Sequence, residues 1–193
     1  RGLGDVYKRQ RQYGAPKAKV LALQKRAESA QNNLDNMLEA EAILASINTN
    51  DAGRINYRNY AKLAKLYAHA SRLDPTNTTA TSGLKNVNRY ITSNFDKAIK
   101  EYDFEPAQTY LETYREANGN NSAAKNLEAR ISEAKNTRLE VISLLDDADK
   151  IIDLPFKRPG LFGSNKANLA QLRNARAKVE RAQELDPNNT VLK

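Results

Sequence analysis

Residue types that do chemistry are sparse and widely spaced in this chain. It has one histidine, His69, and no cysteine. A lone imidazole with no carboxylate or nucleophile motif beside it reads as a solvated or capping group rather than a general base. Asp146 and Asp149 stand three residues apart, on one polar helix face, and no second carboxylate cluster is placed to oppose them. No glycine-rich phosphate loop, nucleophile elbow or metal-ligand spacing occurs. The chain therefore reads as non-enzymatic, with no cofactor and no metal.

Three other groups of residues suit binding. Arg54, Arg58, Lys62, Lys65 and Arg72 fall within about 80° of one another on a helix turning 100° per residue, with no acidic residue between them. Such a ridge is ordinarily a solvated outer face. As a site, it would take an anionic partner: nucleic acid, an acidic protein or anionic lipid. The net charge of +8 favours that weakly, while Asp146, Asp147, Asp149 and Asp153 make the surface mixed in sign. The second group lies in the segment 154–165, where Leu154, Phe156, Leu161 and Phe162 accompany two prolines and two glycines. It reads as a loop tucking its aromatics inward, or as a partner-binding edge. Phe156, Lys157, Arg158 and Phe162 would suit an acidic peptide or a phosphate. Third are the tyrosines Tyr57, Tyr60, Tyr67, Tyr90, Tyr102, Tyr110 and Tyr114, most at core spacing.

The elements that position these groups are marked out by a recurring pattern. Aligning Leu73, Ala117 and Leu185 brings four more columns into register: Ala70, Tyr114 and Ala182; Tyr67, Leu111 and Val179; Leu63, Ala107 and Ala175; Tyr60, Phe104 and Leu172. The steps of 3, 3, 4 and 3 put every column on one helix face. The copies are 44 and then 68 residues apart, so insertions separate them. Pro75 and Pro187 stop the first and third copies, since the residue before a proline is pushed out of the α region. Gly119 closes the middle copy in a left-handed conformation. Asn77 or Thr78, Asn121 or Ser122, and Asn189 or Thr190 can each cap the next helix.

This pattern resembles the second helix of the tetratricopeptide repeat. Leu63, Tyr67, Ala70 and Pro75 match it, as do Ala175, Val179, Ala182 and Pro187; the middle copy departs at Tyr114 and Gly119. The first-helix signature is not found, and the chain has no tryptophan, so the resemblance covers about half of each repeat. It implies an all-α, TPR-like solenoid of α-α hairpins that binds other proteins.

Read in order, about six helices alternate long and short, as hairpins at about 17–72, 78–117 and 122–184. Helix 1 runs from about Lys17 to Ile47, opened by Gly14, Ala15 and Pro16, with Val20, Leu23, Ala27, Ala30, Leu34, Met37 and Leu44 in a stripe at steps of three and four that Glu41 interrupts; apolar surface is expected to be exposed at the ends of the array. Residues 48–53 form a loop, and helix 2 spans about Arg54–Arg72. Helix 3 spans about Thr78–Tyr102, with Ala80, Leu84, Val87, Ile91, Phe95 and Ala98 inward and weak points at Gly83 and at Ser93 and Asn94. Pro106 opens a short helix 4, to about Ala117. Helix 5 spans about Ser122–Asp153; its seam of Leu127, Ile131, Ala134, Arg138, Val141, Leu145, Ala148 and Ile152 also suits a free coiled coil. Helix 6 spans about Lys166–Glu184. Residues 16–193 form one array in which stacked neighbours cover each hairpin's apolar face.

Asp5 to Gln10 look like one reading frame of a sequencing-library adapter, so residues 1–15 are expected to be non-native or disordered. The remainder reads as an internal fragment of a larger bacterial protein. No apolar run approaches the roughly 20 residues that span a bilayer. The leading expectation is a scaffold binding a protein or peptide. A basic module binding nucleic acid or another polyanion is the alternative. A third reading, by analogy with arrays in cell-envelope proteins, is the regulatory arm of an envelope enzyme.

Overall fold

A computed structural model describes residues 3–47, 54–155 and 165–187, with residues 3–17 and 167 described by their backbone alone. Among the described residues the chain is all-helical, with six helices and no strand. They are α1 (Leu3–Ser46), α2 (Tyr60–Leu73), α3 (Thr78–Lys100), α4 (Phe104–Asn118), α5 (Ser122–Ile152) and α6 (Lys166–Leu185). Long and short do alternate: 44, 14, 23, 15, 31 and 20 residues. The residues group into two compact units, one of 1–91 with 116–118 and one of 92–115 with 119–193.

Two boundaries differ from the sequence expectation. Helix α1 begins at Leu3, so Pro16 lies inside it rather than opening it. Good helix formers on either side, Lys8 to Gln12 and Lys17 to Leu23, carry the backbone across at the loss of one hydrogen bond. Helix α2 begins at Tyr60, six residues later than expected from Arg54. Asparagine chemistry explains the delay. The Asn56 side chain accepts from the Arg58 N–H at 2.9 Å, and the Asn59 side chain accepts from the Asn56 N–H at 2.8 Å. Both side-chain amides donate to the Arg54 carbonyl at 3.1 Å. These local bonds compete with helical ones and hold the segment as a turn.

In the first unit, among the described side chains, α1 packs on α2 only near its C-terminal end. Ala40, Ala70 and Ala80 are fully buried, with Ile43, Leu44 and Leu73 against them. The apolar stripe of α1 is not covered: Val20, Leu23, Leu34 and Met37 are 45–55% exposed, as expected of an end of the array. The start of α3 closes on α2 at Gly83, where an added Cβ would clash with the edge of the Tyr67 ring. Gly83 therefore marks a close approach of two helices rather than a weak point. Tyr60 packs on Tyr90, ring centroids 5.7 Å apart.

In the second unit one cluster joins Phe95, Ala98, Ala107, Leu111, Ala124, Leu127 and Ile131, with Ile99, Phe104, Tyr110 and Tyr114 packed against it. Helix α6 packs on α5. The Lys178 ammonium meets the Asp147 carboxylate at 2.9 Å, and the Gln171 amide donates to the Ile151 carbonyl at 2.6 Å.

The aligned columns of α2, α4 and α6 can be read off directly. Tyr67, Leu63, Ala70, Ala107, Leu111, Ala117, Ala175 and Ala182 are buried, and Leu73, Phe104, Tyr114, Val179 and Leu185 are half-buried. Tyr60 is buried, and only Leu172 is exposed, at 44%. Helices α2 and α6 close alike, at Asp74 with φ −130° and Asp186 with φ −137°, each followed by a proline, whereas α4 closes at Gly119. The N–H groups of Asp74, Gly119 and Asp186 each donate to the carbonyl four residues back, at 2.8–3.0 Å. Gly119 has φ 75°, a value that favours glycine. The expected caps form at two sites: Asn77 accepts from the Thr79 and Ala80 N–H groups at 3.1 Å, and Asn121 from the Ala124 N–H at 2.9 Å. Asn189 and Thr190 lie outside the described residues.

Candidate functional site

The basic ridge does not form as a helical face. Arg54 and Arg58 lie in the turn before α2, and Arg58 folds back on Tyr57, its Nε donating to the phenol oxygen at 2.7 Å. Lys62, Lys65 and Arg72 do share one side of α2. There the Lys65 Nζ pairs with the Glu116 Oε2 at 3.0 Å, and the Arg72 Nη1 donates to the Ala117 carbonyl at 3.3 Å. Two of these cations thus tie α2 to the end of α4. His69 is exposed on α2, and Asp146 and Asp149 are exposed on α5. Phe156, Lys157, Arg158, Leu161 and Phe162 lie outside the described residues.

The chemically most unusual position is one that sequence reasoning missed. Helix α3 ends in a Schellman motif: the Asp103 N–H reaches the Ala98 carbonyl at 2.8 Å, and the Tyr102 N–H reaches Ile99 at 3.2 Å. The motif puts Tyr102 in the left-handed region, at φ 56°, the one such non-glycine residue among those described. Glycine is the usual occupant, and a Cβ there costs about 1 kcal/mol. Such strain persists only where the side chain is held elsewhere. Here the ring meets Phe104 edge-on, centroids 6.1 Å apart, and the Arg138 guanidinium lies 5.1 Å from its centre. The hydroxyl donates to the Asp186 carboxylate, which is itself 7% exposed. Burial pushes the Tyr102 phenol above its usual pKa; the Asp186 charge and hydrogen bond push the same way, against Arg138.

Beside this pair opens a cavity of about 310 Å³, within the second unit. Lys100, Arg130 and Thr137 offer donors to it, and Glu133 and Asp186 offer acceptors. Ile99, Ala134, Leu185 and Pro187 supply an apolar lining. Helix α5 steadies one wall by laying cations over rings: Arg130 over Phe95 at 5.2 Å and Lys135 over Phe104 at 5.6 Å. Arg130 also pairs with Asp96 at 2.8 Å. The cavity thus presents both signs of charge and an apolar floor, which suits a small zwitterionic or peptidic group.

Two signals in the sequence could have pointed here. The tight connection 101–103 holds no glycine, so a Schellman turn there puts another residue in the left-handed position. Asp186 precedes a proline just as Asp74 does, and both are buried. Asp74 turns its carboxylate to the Thr76 N–H at 3.0 Å, whereas Asp186 receives Tyr102. No protein-family model, curated protein or solved structure matches the chain.

Proposed function

We propose that the chain is a TPR-like scaffold of α-α hairpins that binds a protein or peptide segment and performs no chemistry of its own. The observation that carries this reading is that α2, α4 and α6 turn the same five columns inward, every position but Leu172 being buried or half-buried, and that α2 and α6 both close at an Asp before a proline. In this reading the cavity beside Tyr102 seats part of the partner. Its paired charges would meet the ends or side chains of a peptide, and its apolar lining would exclude water.

The polyanion reading loses its main support, because Arg54 and Arg58 leave the ridge while Lys65 and Arg72 are bonded within the fold. Selection of a peptide library against the whole chain separates the two. The scaffold reading predicts a peptide that binds almost equally at low and high salt and is lost on Lys100→Glu. If selection yields nothing while a short RNA binds with affinity falling steeply with salt, the scaffold reading fails.

A further inference from the structure

The charges on the cavity beside Tyr102 divide into those already bonded within the fold and those that are not. Arg130 pairs with Asp96 at 2.8 Å and lies over the Phe95 ring. Asp186 receives the Tyr102 hydroxyl. Lys100 and Glu133 remain. Among the described residues neither has an ion pair or a side-chain hydrogen bond, and they do not pair with each other. Lys100 ends α3 and Glu133 lies on α5, so two helices hold an unspent cation and an unspent anion at one cavity. An anion drawn to Lys100 is repelled by Glu133, and a cation drawn to Glu133 is repelled by Lys100. A partner that brings both charges meets two attractions and leaves neither group desolvated alone. An extended segment of more than a few residues carries its two ends too far apart to supply them, at about 3.3 Å per residue, so side chains must.

We propose that the peptide segment bound by this scaffold carries a basic and an acidic side chain on one face, the basic one taken by Glu133 and the acidic one by Lys100; this charge pattern rests on the scaffold reading above. A segment whose two charges cancel is not steered by the net field of the protein, which suits binding that changes little with salt. Peptides selected against the whole chain, titrated by calorimetry, supply the probe. Each should contain a basic and an acidic residue. Glu133→Gln should weaken binding about tenfold or more, and Asp149→Asn, an equal charge change farther along α5 and outside the cavity lining, should not. Replacing the peptide's basic residue by alanine should weaken binding to the parent chain alike and add little on the Glu133→Gln variant. Glu133 and Asp149 are both exposed, so the helical circular dichroism should be unchanged in either variant. A peptide that is lost on Lys100→Glu but indifferent to Glu133→Gln overturns the proposal and leaves the scaffold reading standing. A set of selected peptides without basic residues does the same. If no peptide binds, both fall.

Discussion

Helices α1 and α5 carry the same apolar repeat and meet opposite fates. In α5, Leu127, Ile131, Val141 and Ala148 are at most 5% exposed. In α1, Val20, Leu23, Leu34 and Met37 are at least 45% exposed. The difference lies in what each helix has beside it. The first half of α5 meets the apolar faces of α3 and α4, and its second half meets α6, which is 20 residues long. Helix α1 has 44 residues, and α2 beside it has 14, about 21 Å at 1.5 Å per residue. A helix so short covers only one end of α1. A repeating pattern thus specifies an apolar face, but the length of the neighbour decides whether that face is filled.

The contrast can be broken most sharply by matched truncations. Leu111→Ala removes a fully buried side chain from the cluster that covers α5, and it should cost about 2–5 kcal/mol in urea unfolding. Leu34→Ala on the uncovered stripe should change monomer stability by no more than about 0.5 kcal/mol. Similar losses from the two would mean that the stripe is covered in solution by the chain itself.

A smaller effect should appear on raising the pH. The Tyr102 phenol has a pKa raised above its unfolded value, so the folded state favours its protonated form. The stability it contributes is fully present below about pH 10, the unfolded tyrosine value, and is lost as pH rises through the folded one. Tyr67 and Tyr90 act in the same direction in the first unit, chiefly through burial. Alkaline unfolding followed by circular dichroism should therefore be shallower in Tyr102→Phe than in the parent chain. Identical profiles would remove the link between Tyr102 and Asp186.

Much of the helical order was legible because it rests on local chemistry. Periodicity located α3, α5 and α6 to within two residues at each end, and asparagine and glycine chemistry marked their flanks. The start of α2 was not legible, because Arg54 to Asn59 have no strong turn dipeptide and the competing side-chain bonds appear only in three dimensions. The site was harder still. Tyr102 and Asp186 are more than eighty positions apart, and nothing local to either announces the other. The basic ridge misled for the opposite reason. Five cations aligned well on an assumed helix, but the helix began after the first two and other residues claimed two of the rest.

If α2, α4 and α6 are equivalent parts seated by the same columns, α6 offers the most direct test. Ala182 is fully buried in one column, while Leu172, on the same helix, is 44% exposed in another. Urea unfolding of Ala182→Asp should show a loss of about 3 kcal/mol or more, because an unpaired carboxylate is forced inside, and Leu172→Asp should lose about 0.5 kcal/mol or less. Parent-like unfolding of Ala182→Asp, or equal losses from the two, would contradict the shared register.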